Sequence, residues 1–372
     1  MTGEVTIVGY PFQLTGMAEH ARSTFRALQA VGVTPRLLDV ADANRGFDPD
    51  LERDFAPHLV ATLGEGVNIF GVNGDEAARV IDKVGEAAFA RGYNVAYPAW
   101  ELARYPAAWA KVLDRFDEIW APSAFVQAAL QDAVSRPVHR MPLAVELKLS
   151  SFLGRRYFGV PEDAFVAVFF FDFASFADRK NPEAVLKAFE LLAERRPDAH
   201  IHCVIKSRGG RDMDEQQAAL EARLAALGDR AQALYGDMSD NEIKNLIRVS
   251  DVFVSLHRSE GFGRGMAEAM ALGRPAIATG YSGNLDFMPP GTGLLVDYQM
   301  TPVAPGAYPQ GDGQAWADAS PEHASRLLEK LMDDPAAARA KGARGKAFIA
   351  QHYSLKTVGA RALERLTAIG GA

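Results

Sequence analysis

Cysteine is almost absent from the sequence, since Cys203 is the only one in 372 residues. A single cysteine cannot form an intrachain disulfide, so the chain fits a reducing compartment and not the class of disulfide-stabilised secreted domains. Cys203 lies in the apolar run HIHCVIK, where a cysteine behaves as a small buried hydrophobic residue. We therefore expect Cys203 to be a packing residue.

Long apolar runs and an excess of positive charge are also absent. No window approaches about 20 uninterrupted apolar residues, the length of a membrane-spanning helix. The first residues, MTGEVTIVGYPF, lack the basic and apolar segments of a signal peptide. The chain has 40 Lys and Arg against 47 Asp and Glu, a net charge of −7, which argues against a nucleic-acid partner. Because residues 1–150 carry no basic excess either, we expect a cytoplasmic protein that contacts a membrane at most transiently and peripherally.

The sequence does contain short apolar runs that alternate with longer segments of helical period, the pattern of parallel α/β domains. A chain of 372 residues exceeds the size at which a single core keeps growing. The first series of strands is predicted at 5–9, 35–40, 67–72, 93–98, 118–122 and 138–143. The second series is predicted at 165–171, 200–206, 232–236, 251–256, 275–280 and 294–298. We therefore predict two doubly wound domains, 1–150 and 151–353, that join near residues 148–162.

Capping residues mark several helix starts. Asn181 and Pro182 begin the amphipathic segment NPEAVLKAFELLAERRP, and Ser123 begins a shorter helix. The Gly- and Pro-rich segment from Pro289 to Gly313 is predicted to be a long loop after the last strand. Such a loop lines a site about as often as it is a plain surface excursion.

The stretch RSEGFGRGMAEAMALGRP places two glutamates on either side of a Gly-Phe-Gly turn, between two apolar strands. In open parallel sheets, ligands bind beyond the carboxyl ends of the strands, where helix N-termini present N–H groups. Gly261 and Gly263 let the backbone turn sharply and let a ligand approach, and a helix is predicted to begin near Arg264. Glu260 and Glu268 could then bind two pairs of neighbouring sugar hydroxyls on either side of a pyrophosphate. The alternative is that Glu268 only complements the helix dipole and that Glu260 is a loop charge.

Positive side chains follow two neighbouring predicted strands, in the runs FFFDFASFADRKNP and HIHCVIKSRGGR. The candidates for binding an anion there are Ser175, Arg179, Lys180, Lys206, Arg208 and Arg211. Ammonium and guanidinium groups at two strand ends suit a diphosphate, and the alternative is that they are solvated surface charges. His200 and His202 share one face of a strand, but no third metal ligand has suitable spacing. We expect no metal and no other cofactor, and we interpret His257 as a packing residue or a neighbour of the ligand rather than a base.

Together these motifs resemble those of a known family. The stretch SEGFGRGMAEAMALGRPAIATGYSGNLDF is similar to the E-x7-E signature of retaining glycosyltransferases of family 4. The runs FDFASFADRKNPEAVLKAF, NVAYPAWELARYPAAW and DEIWAPSAFV are similar to those of its bacterial members. The resemblance implies the GT-B fold, an α/β architecture of two Rossmann-like doubly wound parallel-sheet domains that face each other across a cleft. It also implies that a C-terminal helix, 354–370, packs back on the N-terminal, acceptor-side domain.

The resemblance further implies roles for residues of the second domain. Glu260 would bind hydroxyls of the donor sugar and Glu268 the ribose, while Lys180 and Lys206 would bind the diphosphate. The residues that would complete this nucleotide-sugar site are Ser175, Arg179, Gly236, Asp237, Met238, Gly261, Phe262 and Gly263. Many relatives carry an arginine about six residues before the first lysine. Because this chain has Ala174 near that place, Arg179 or Ser175 is expected to replace that arginine.

In the first domain, the resemblance assigns Thr15 and Gly16 to a glycine-containing loop near the transferred sugar. That loop is not the G-x-G-x-x-G of a dinucleotide-binding enzyme. Glu101, which follows the strand predicted at 93–98, would face the anomeric centre of the donor. The catalytic residues predicted in this way are Glu101, Glu260 and Lys180.

These observations predict a metal-independent, retaining glycosyltransferase of bacterial polysaccharide or glycoconjugate synthesis. It would move a hexose from a UDP- or GDP-sugar to a hydroxyl of a glycan or a lipid-linked glycan. The alternatives are a GT-B sugar-nucleotide epimerase, a phosphorylase, for which no pyridoxal-lysine site is seen, and a non-catalytic sugar-nucleotide-binding protein. A glycoside hydrolase is disfavoured, because Glu260 and Glu268 leave the same strand–helix junction and would not flank a glycosidic bond.

Overall fold

The structure, a computed structural model, describes residues 3–42, 48–208 and 214–370. By contacts the chain divides into two compact units. Unit 1 comprises Met1–Glu146 together with Gln351–Ala372, and unit 2 comprises Leu147–Ala350. The boundary that the sequence places near residues 148–162 therefore lies at Glu146 and Leu147.

Unit 1 is built on a parallel sheet of six strands. The strands are β1 (Val5–Gly9), β2 (Arg36–Asp39), β3 (Val67–Phe70), β4 (Tyr93–Ala96), β5 (Glu118–Ala121) and β6 (Val138–Arg140), in the order β2-β1-β3-β4-β5-β6. The helices are α1 (Gly16–Gln29), α2 (Pro49–Phe55), α3 (Gly74–Val84), α4 (Glu86–Phe89), α5 (Ala107–Leu113) and α6 (Ala124–Gln131). Every residue of β1 and β3 is buried, as expected of parallel strands that are covered on both faces.

Unit 2 repeats this plan with a second parallel sheet of six strands. The strands are β7 (Phe165–Asp172), β8 (Ile201–Arg208), β9 (Ala231–Tyr235), β10 (Val252–Ser255), β11 (Ala276–Thr279) and β12 (Leu294–Val296), in the order β12-β11-β10-β7-β8-β9. An antiparallel pair follows, β13 (Tyr298–Pro302) and β14 (Ala315–Ala319). The helices are α7 (Ala177–Lys180), α8 (Pro182–Arg195), α9 (Asp214–Leu227), α10 (Asp240–Val249), α11 (Arg264–Ala271), α12 (Pro321–Asp333) and α13 (Pro335–His352). The prediction of two doubly wound parallel sheets is confirmed.

The strand order of unit 2 reverses direction next to β7. The chain runs outward from β7 to β8 and β9, and then returns to place β10 on the other side of β7. The chain connections after β7 and β10 therefore start at the same carboxyl edge of the sheet and run to opposite sides of it. In open α/β sheets this switch point is where ligands bind.

Local sequence signals explain where the principal helices begin. The Asn181 side chain accepts a hydrogen bond from the Ala184 amide, and Pro182 occupies the first turn of α8. Ser123 caps α6 by accepting from the Val126 amide at 3.2 Å. Both caps satisfy backbone donors that the first helical turn leaves open, and both confirm predictions from the sequence.

The segment from Pro289 to Gly313 corrects the sequence-based interpretation. It was expected to be a long loop, but it contains β13, which pairs antiparallel with a strand that the sequence did not predict, β14. In β14 Trp316, Ala317 and Ala319 are buried and Asp318 is exposed, so most of this strand is covered by the rest of unit 2. We call residues 298–319 the β13–β14 hairpin.

The last helix, α14 (Leu355–Ala368), belongs to unit 1 and packs on α1. Its buried residues include Val358, Ala362 and Leu366. At Gly359 a Cβ atom would lie only 2.0 Å from the Ala27 carbonyl oxygen, so the close approach of the two helices requires glycine. No helix within the described residues is long and apolar enough to cross a membrane.

Candidate functional site

Glu260 lies at the switch point of the unit 2 sheet, five residues after the end of β10. Its side chain is buried and accepts a hydrogen bond from the Lys180 ammonium group on Oε1. The guanidinium of Arg179 lies 3.3 Å from the other carboxylate oxygen, Oε2. Lys180 and Arg179 come from α7, which follows β7. The two loops that meet at the switch point are therefore joined by an ion-pair network.

The charge of Glu260 is fixed by these neighbours. Burial alone would raise the pKa of this carboxyl, but the charges of Lys180 and Arg179 outweigh it and bring the pKa down to about 2. Arg179 is itself buried and donates hydrogen bonds to the carbonyl oxygens of Ser259 at 3.1 Å and Ser175 at 3.3 Å. Glu260 is therefore an ionised acceptor near neutral pH, held by two cations.

The backbone around Glu260 is anchored by the turn after β11. The Glu260 amide donates to the Ser282 hydroxyl at 2.9 Å, and the Gly283 amide donates to the Glu260 carbonyl at 2.9 Å. A Cβ atom at Gly283 would lie 2.1 Å from the Gly261 carbonyl oxygen. Ser282 has a φ of 75°, a conformation that non-glycine residues rarely adopt. The sequence did not single out this turn, although its letters YSGN after a strand are a turn signal.

A buried histidine stabilises the same corner. The ring nitrogens of His257 lie 3.0 Å from the Ser255 hydroxyl and 3.1 Å from Asn284 Oδ1. Because the Asn284 amide nitrogen donates to the Thr279 carbonyl, its Oδ1 accepts from Nε2–H, and Nδ1 accepts from Ser255. Burial lowers the pKa of His257, so the ring is neutral at physiological pH. A fully buried, neutral His257 fits the packing role that the sequence suggested.

The helix predicted to begin near Arg264 does begin there as α11. Gly263 precedes it with a φ of 94°, a left-handed conformation that glycine adopts without strain, and no side chain caps the helix. Glu268 lies in the second turn of α11 and its side chain is buried. The two glutamates of the E-x7-E stretch are thus both buried, one in the loop before the helix and one within it. The role of Glu268 in binding the ribose stays a prediction.

A second group of charges lies at the ends of β8 and β9. Arg208 and Asp237 form an ion pair at 2.6 Å. Lys206 is buried, and within the described residues its ammonium group makes no hydrogen bond or ion pair. Burial and the nearby charge of Arg208 lower the pKa of Lys206, against the opposing charges of Asp237 and Asp172. Asp237, which is predicted to lie in a loop beside the base, is thus ion-paired with Arg208. Gly236, the residue before it, has a φ of 95°.

Three predicted residues belong to unit 1. Thr15 caps α1, because its hydroxyl accepts from the Ala18 amide at 3.2 Å. Gly16 is the first residue of α1, and a Cβ atom placed there would meet nothing within 4 Å. Glu101 is half-buried and lies near Tyr105, whose pKa is raised by burial and by the charges of Asp75 and Glu101. Their predicted roles stay predictions, and Arg211 lies outside the described residues.

Among the described residues, no group of three His, Cys, Asp or Glu side chains is arranged to hold a metal ion. The prediction of metal-independent chemistry is not tested by that observation. His202 in β8 instead contacts the Asp229 carbonyl and the Gln232 side chain, at 3.0 and 3.1 Å, whereas His200 lies just before the strand.

Part of the chain is similar in sequence to known glycosyltransferases. Residues 162–302 match the model of the family described as "Glycosyl transferases group 1". The chain is 35% identical over 112 residues to a mannosylfructose-phosphate synthase of Agrobacterium fabrum (29% of this chain and 24% of that one). It is 32% identical over 189 residues to a D-inositol 3-phosphate glycosyltransferase of an Arthrobacter species (50% of this chain and 39% of that one). The chain thus spans well under half the length of these curated relatives.

The fold is shared more widely than the sequence. The crystal structure of HepE of Anabaena, in complex with UDP and glucose, covers 98% of this chain and 100% of its own, with a TM-score of 0.73 and 14% sequence identity. At that identity the likeness shows the fold alone. The predicted GT-B fold class is confirmed.

Proposed function

We propose that this chain is a glycosyltransferase that takes its sugar from a nucleoside-diphosphate sugar. The observation that carries the proposal is the ionised, buried Glu260, held by Lys180 and Arg179 in the loop that leads into α11. A carboxylate with fixed charge accepts hydrogen bonds from sugar hydroxyls, and a helix N-terminus binds phosphate oxygens. The match of residues 162–302 to a glycosyltransferase family supports the same assignment.

The charges of the site suit a diphosphate. Lys180, Arg179 and Glu260 together carry one net positive charge. Lys206 adds a buried cation that has no ion pair within the described residues. A buried ammonium group without a partner is costly, and an anionic ligand would offset that cost. The diphosphate of a nucleotide sugar carries two negative charges, which these cations would balance without a divalent metal. In this arrangement Arg179 would supply the positive charge that many members of the resembling family obtain from an arginine near the place of Ala174.

The finer assignment is a retaining transfer. The same cations and the α11 N-terminus would stabilise the charge that develops as the diphosphate leaves, and the acceptor hydroxyl would attack from the same side. We propose a UDP- or GDP-linked hexose as donor and a glycan or lipid-linked glycan as acceptor, in a polysaccharide or glycoconjugate pathway of the cytoplasm. Glu268 would bind the ribose, and Gly236, Asp237 and Met238 would border the base. Glu101, Thr15 and Gly16 keep their predicted roles near the transferred sugar.

The test begins with binding. UDP-, GDP- and ADP-sugars are added to the purified chain, and a ligand that binds the folded state is expected to raise the unfolding midpoint. Lys206→Gln should weaken this response strongly, whereas Lys187→Gln, which changes an exposed lysine of the same unit, should not. If no nucleotide sugar shifts the midpoint, the proposal is wrong.

Transfer is tested next with the nucleotide sugar that binds. Release of nucleoside diphosphate on addition of glycan acceptors is expected, and the product anomer, read by NMR, should match that of the donor. Tight binding without turnover across the acceptor panel would instead favour a non-catalytic sugar-nucleotide-binding protein. Inversion at the anomeric carbon would overturn the retaining assignment alone.

A further inference from the structure

The β13–β14 hairpin, which the sequence did not predict, contacts the segment that carries Arg179 and Lys180. The Ala317 amide of β14 donates to the Arg258 carbonyl at 2.9 Å, and the Arg258 amide donates to the Arg179 carbonyl at 2.7 Å. The Arg258 guanidinium lies 5.6 Å from the centre of the Trp316 ring. The hairpin is therefore connected by backbone hydrogen bonds and a cation–π contact to the network that holds Glu260.

The connecting loop of this hairpin places an aromatic side chain against the same network. Tyr308 is buried, and the Arg179 guanidinium lies 5.8 Å from the centre of its ring. Tyr308 also contacts Phe176, at 5.0 Å between ring centres with the rings inclined by 67°. An edge-to-face pair of this kind is a stabilising aromatic contact. Tyr308 thus connects Phe176 to Arg179 and, through it, to Glu260.

Phe176 is unusual in two respects. Its side chain is 41% exposed although it belongs to the loop between β7 and α7 at the candidate site. Its φ of 63° is in the left-handed region, which is unfavourable for a residue with a bulky side chain. The Phe176 carbonyl also accepts the Arg179 amide at 3.0 Å and the Lys180 amide at 3.4 Å. An exposed aromatic ring is thus held in an unfavourable conformation, directly before the two cations that bind Glu260.

We propose that Phe176, positioned by Tyr308, packs on the apolar face of the hexose whose hydroxyls Glu260 binds. A pyranose has polar edges and at least one face of C–H groups, so a carboxylate at the edge and an aromatic ring at the face recognise complementary parts of it. This inference rests on the proposed function and extends it, because it assigns a residue to the sugar and not to the nucleotide. Phe176 is then a determinant of affinity for the donor sugar.

The experiment compares each nucleotide with its sugar conjugate by calorimetry. The ligands are UDP with UDP-glucose and GDP with GDP-mannose, used with the unaltered chain and with Phe176→Ala and Phe176→Trp. Phe176→Ala is expected to lower the affinity for the nucleotide sugar about five- to tenfold and to leave the affinity for the free nucleotide unchanged. Phe176→Trp should restore most of the affinity. Phe152→Ala, which removes another exposed aromatic ring of unit 2, should change neither.

Phe176→Gly separates binding from folding. Glycine adopts a φ of 63° without strain, and this relief of strain offsets the lost aromatic contact with Tyr308. The variant should therefore keep its unfolding midpoint and still lose the same affinity for the nucleotide sugar. Tyr308→Ala should reproduce part of that loss. Three outcomes would overturn this inference and leave the proposed function standing. They are equal losses of affinity for the nucleotide and the nucleotide sugar, no loss of affinity for either, and reduced transfer with unchanged affinity for the donor. If the unaltered chain binds none of the UDP-, GDP- and ADP-sugars, the proposed function is wrong, and this inference with it.

Discussion

Lys180 and Glu260 form an ion pair although 80 residues separate them in the sequence. They meet because β7 and β10 are adjacent and parallel, so that the loops after them leave the same edge of the sheet. The strand order alone thus brings a cation from one loop to a carboxylate from the other. Arg179 approaches the same carboxylate, and the three side chains share one network.

Replacement of Lys180 tests the importance of this pair for turnover. Lys180→Met leaves Glu260 with Arg179 only and removes a cation from the proposed diphosphate site. We expect kcat to fall by about 100-fold or more, the loss typical of a missing group that stabilises transition-state charge. Lys180→Arg should retain part of the activity. The control is Lys187→Met in α8, and a Lys180→Met enzyme as active as this control would exclude the role.

The acid stability of unit 2 should report the ionisation of Glu260. Its pKa in the folded chain is about 2, below the ordinary value of 4.5, so ionised Glu260 stabilises the folded state. That contribution is fully present above about pH 4.5 and is lost as the pH falls through 2. Between these limits the free energy of unfolding of the unaltered chain should decrease more steeply than that of Glu260→Gln. Parallel pH dependences in urea titrations would contradict the assigned pKa.

Glu268 is predicted to bind the ribose of the donor. Glu268→Ala should therefore weaken the binding of the free nucleoside diphosphate and of the nucleotide sugar by the same amount. The expected loss of binding free energy is roughly 1.5–3 kcal/mol, the value of a hydrogen bond to a charged group. Glu194→Ala, which removes an exposed glutamate of α8, is the matched control. Because Glu268 is buried, far-UV circular dichroism must first show that the variant is folded. Unchanged nucleotide affinity in a folded variant would exclude the ribose contact.

The regular elements were predictable because their signals are local. A capped start such as Asn181-Pro182 and an apolar run such as 165–171 each fix a helix or a strand without distant information. The strands predicted from 5–9 to 294–298 are present, although most end one or two residues earlier or later. The GT-B fold followed from this alternation together with the resemblance of the motifs.

The contacts of the site were less predictable because they join distant residues. Nothing in the sequence near Glu260 indicates that Arg179 and Lys180 approach the same carboxylate, since that depends on the order of β7 and β10. The β13–β14 hairpin was missed for a similar reason. Glycines and prolines in 289–313 suggested a loop, whereas strand pairing with Ala315–Ala319 is a tertiary effect that overrides local preference.

Metal dependence is a further test of the diphosphate site. If Lys180, Lys206 and the α11 N-terminus balance the charge of the diphosphate, activity should survive chelation by EDTA. Turnover would be measured after dialysis against EDTA and again after addition of magnesium or manganese. Loss of activity with EDTA that either metal restores would show that a divalent cation, and not these side chains, balances the charge.

The last prediction concerns the contact between α14 and the sheet of unit 1. Glu118 on β5 is completely buried and accepts hydrogen bonds from Trp120 Nε1 at 2.7 Å and from the Tyr93 hydroxyl at 3.0 Å. The third donor is Arg365 of α14, whose Nε lies 3.1 and 3.0 Å from the two carboxylate oxygens. Burial would raise the pKa of Glu118, but these donors, led by Arg365, keep it below its ordinary value. Arg365 therefore compensates a charge that the interior would otherwise disfavour.

Arg365→Met should leave Glu118 buried with neutral donors only. The free energy of unfolding should then fall by about 2–4 kcal/mol, because one partner of a buried ion pair is removed while the site stays partly solvated. Arg361→Met, at an exposed position of the same helix, should change it by less than about 0.5 kcal/mol. Adding Glu118→Gln to Arg365→Met should recover much of the loss, because the buried charge is then gone. Urea titrations followed by tryptophan fluorescence provide the measurement, since Trp120 contacts Glu118 directly. If Arg365→Met and Arg361→Met unfold at the same urea concentration, the ion pair does not hold α14 in place, and the apolar contacts of Val358, Ala362 and Leu366 are sufficient.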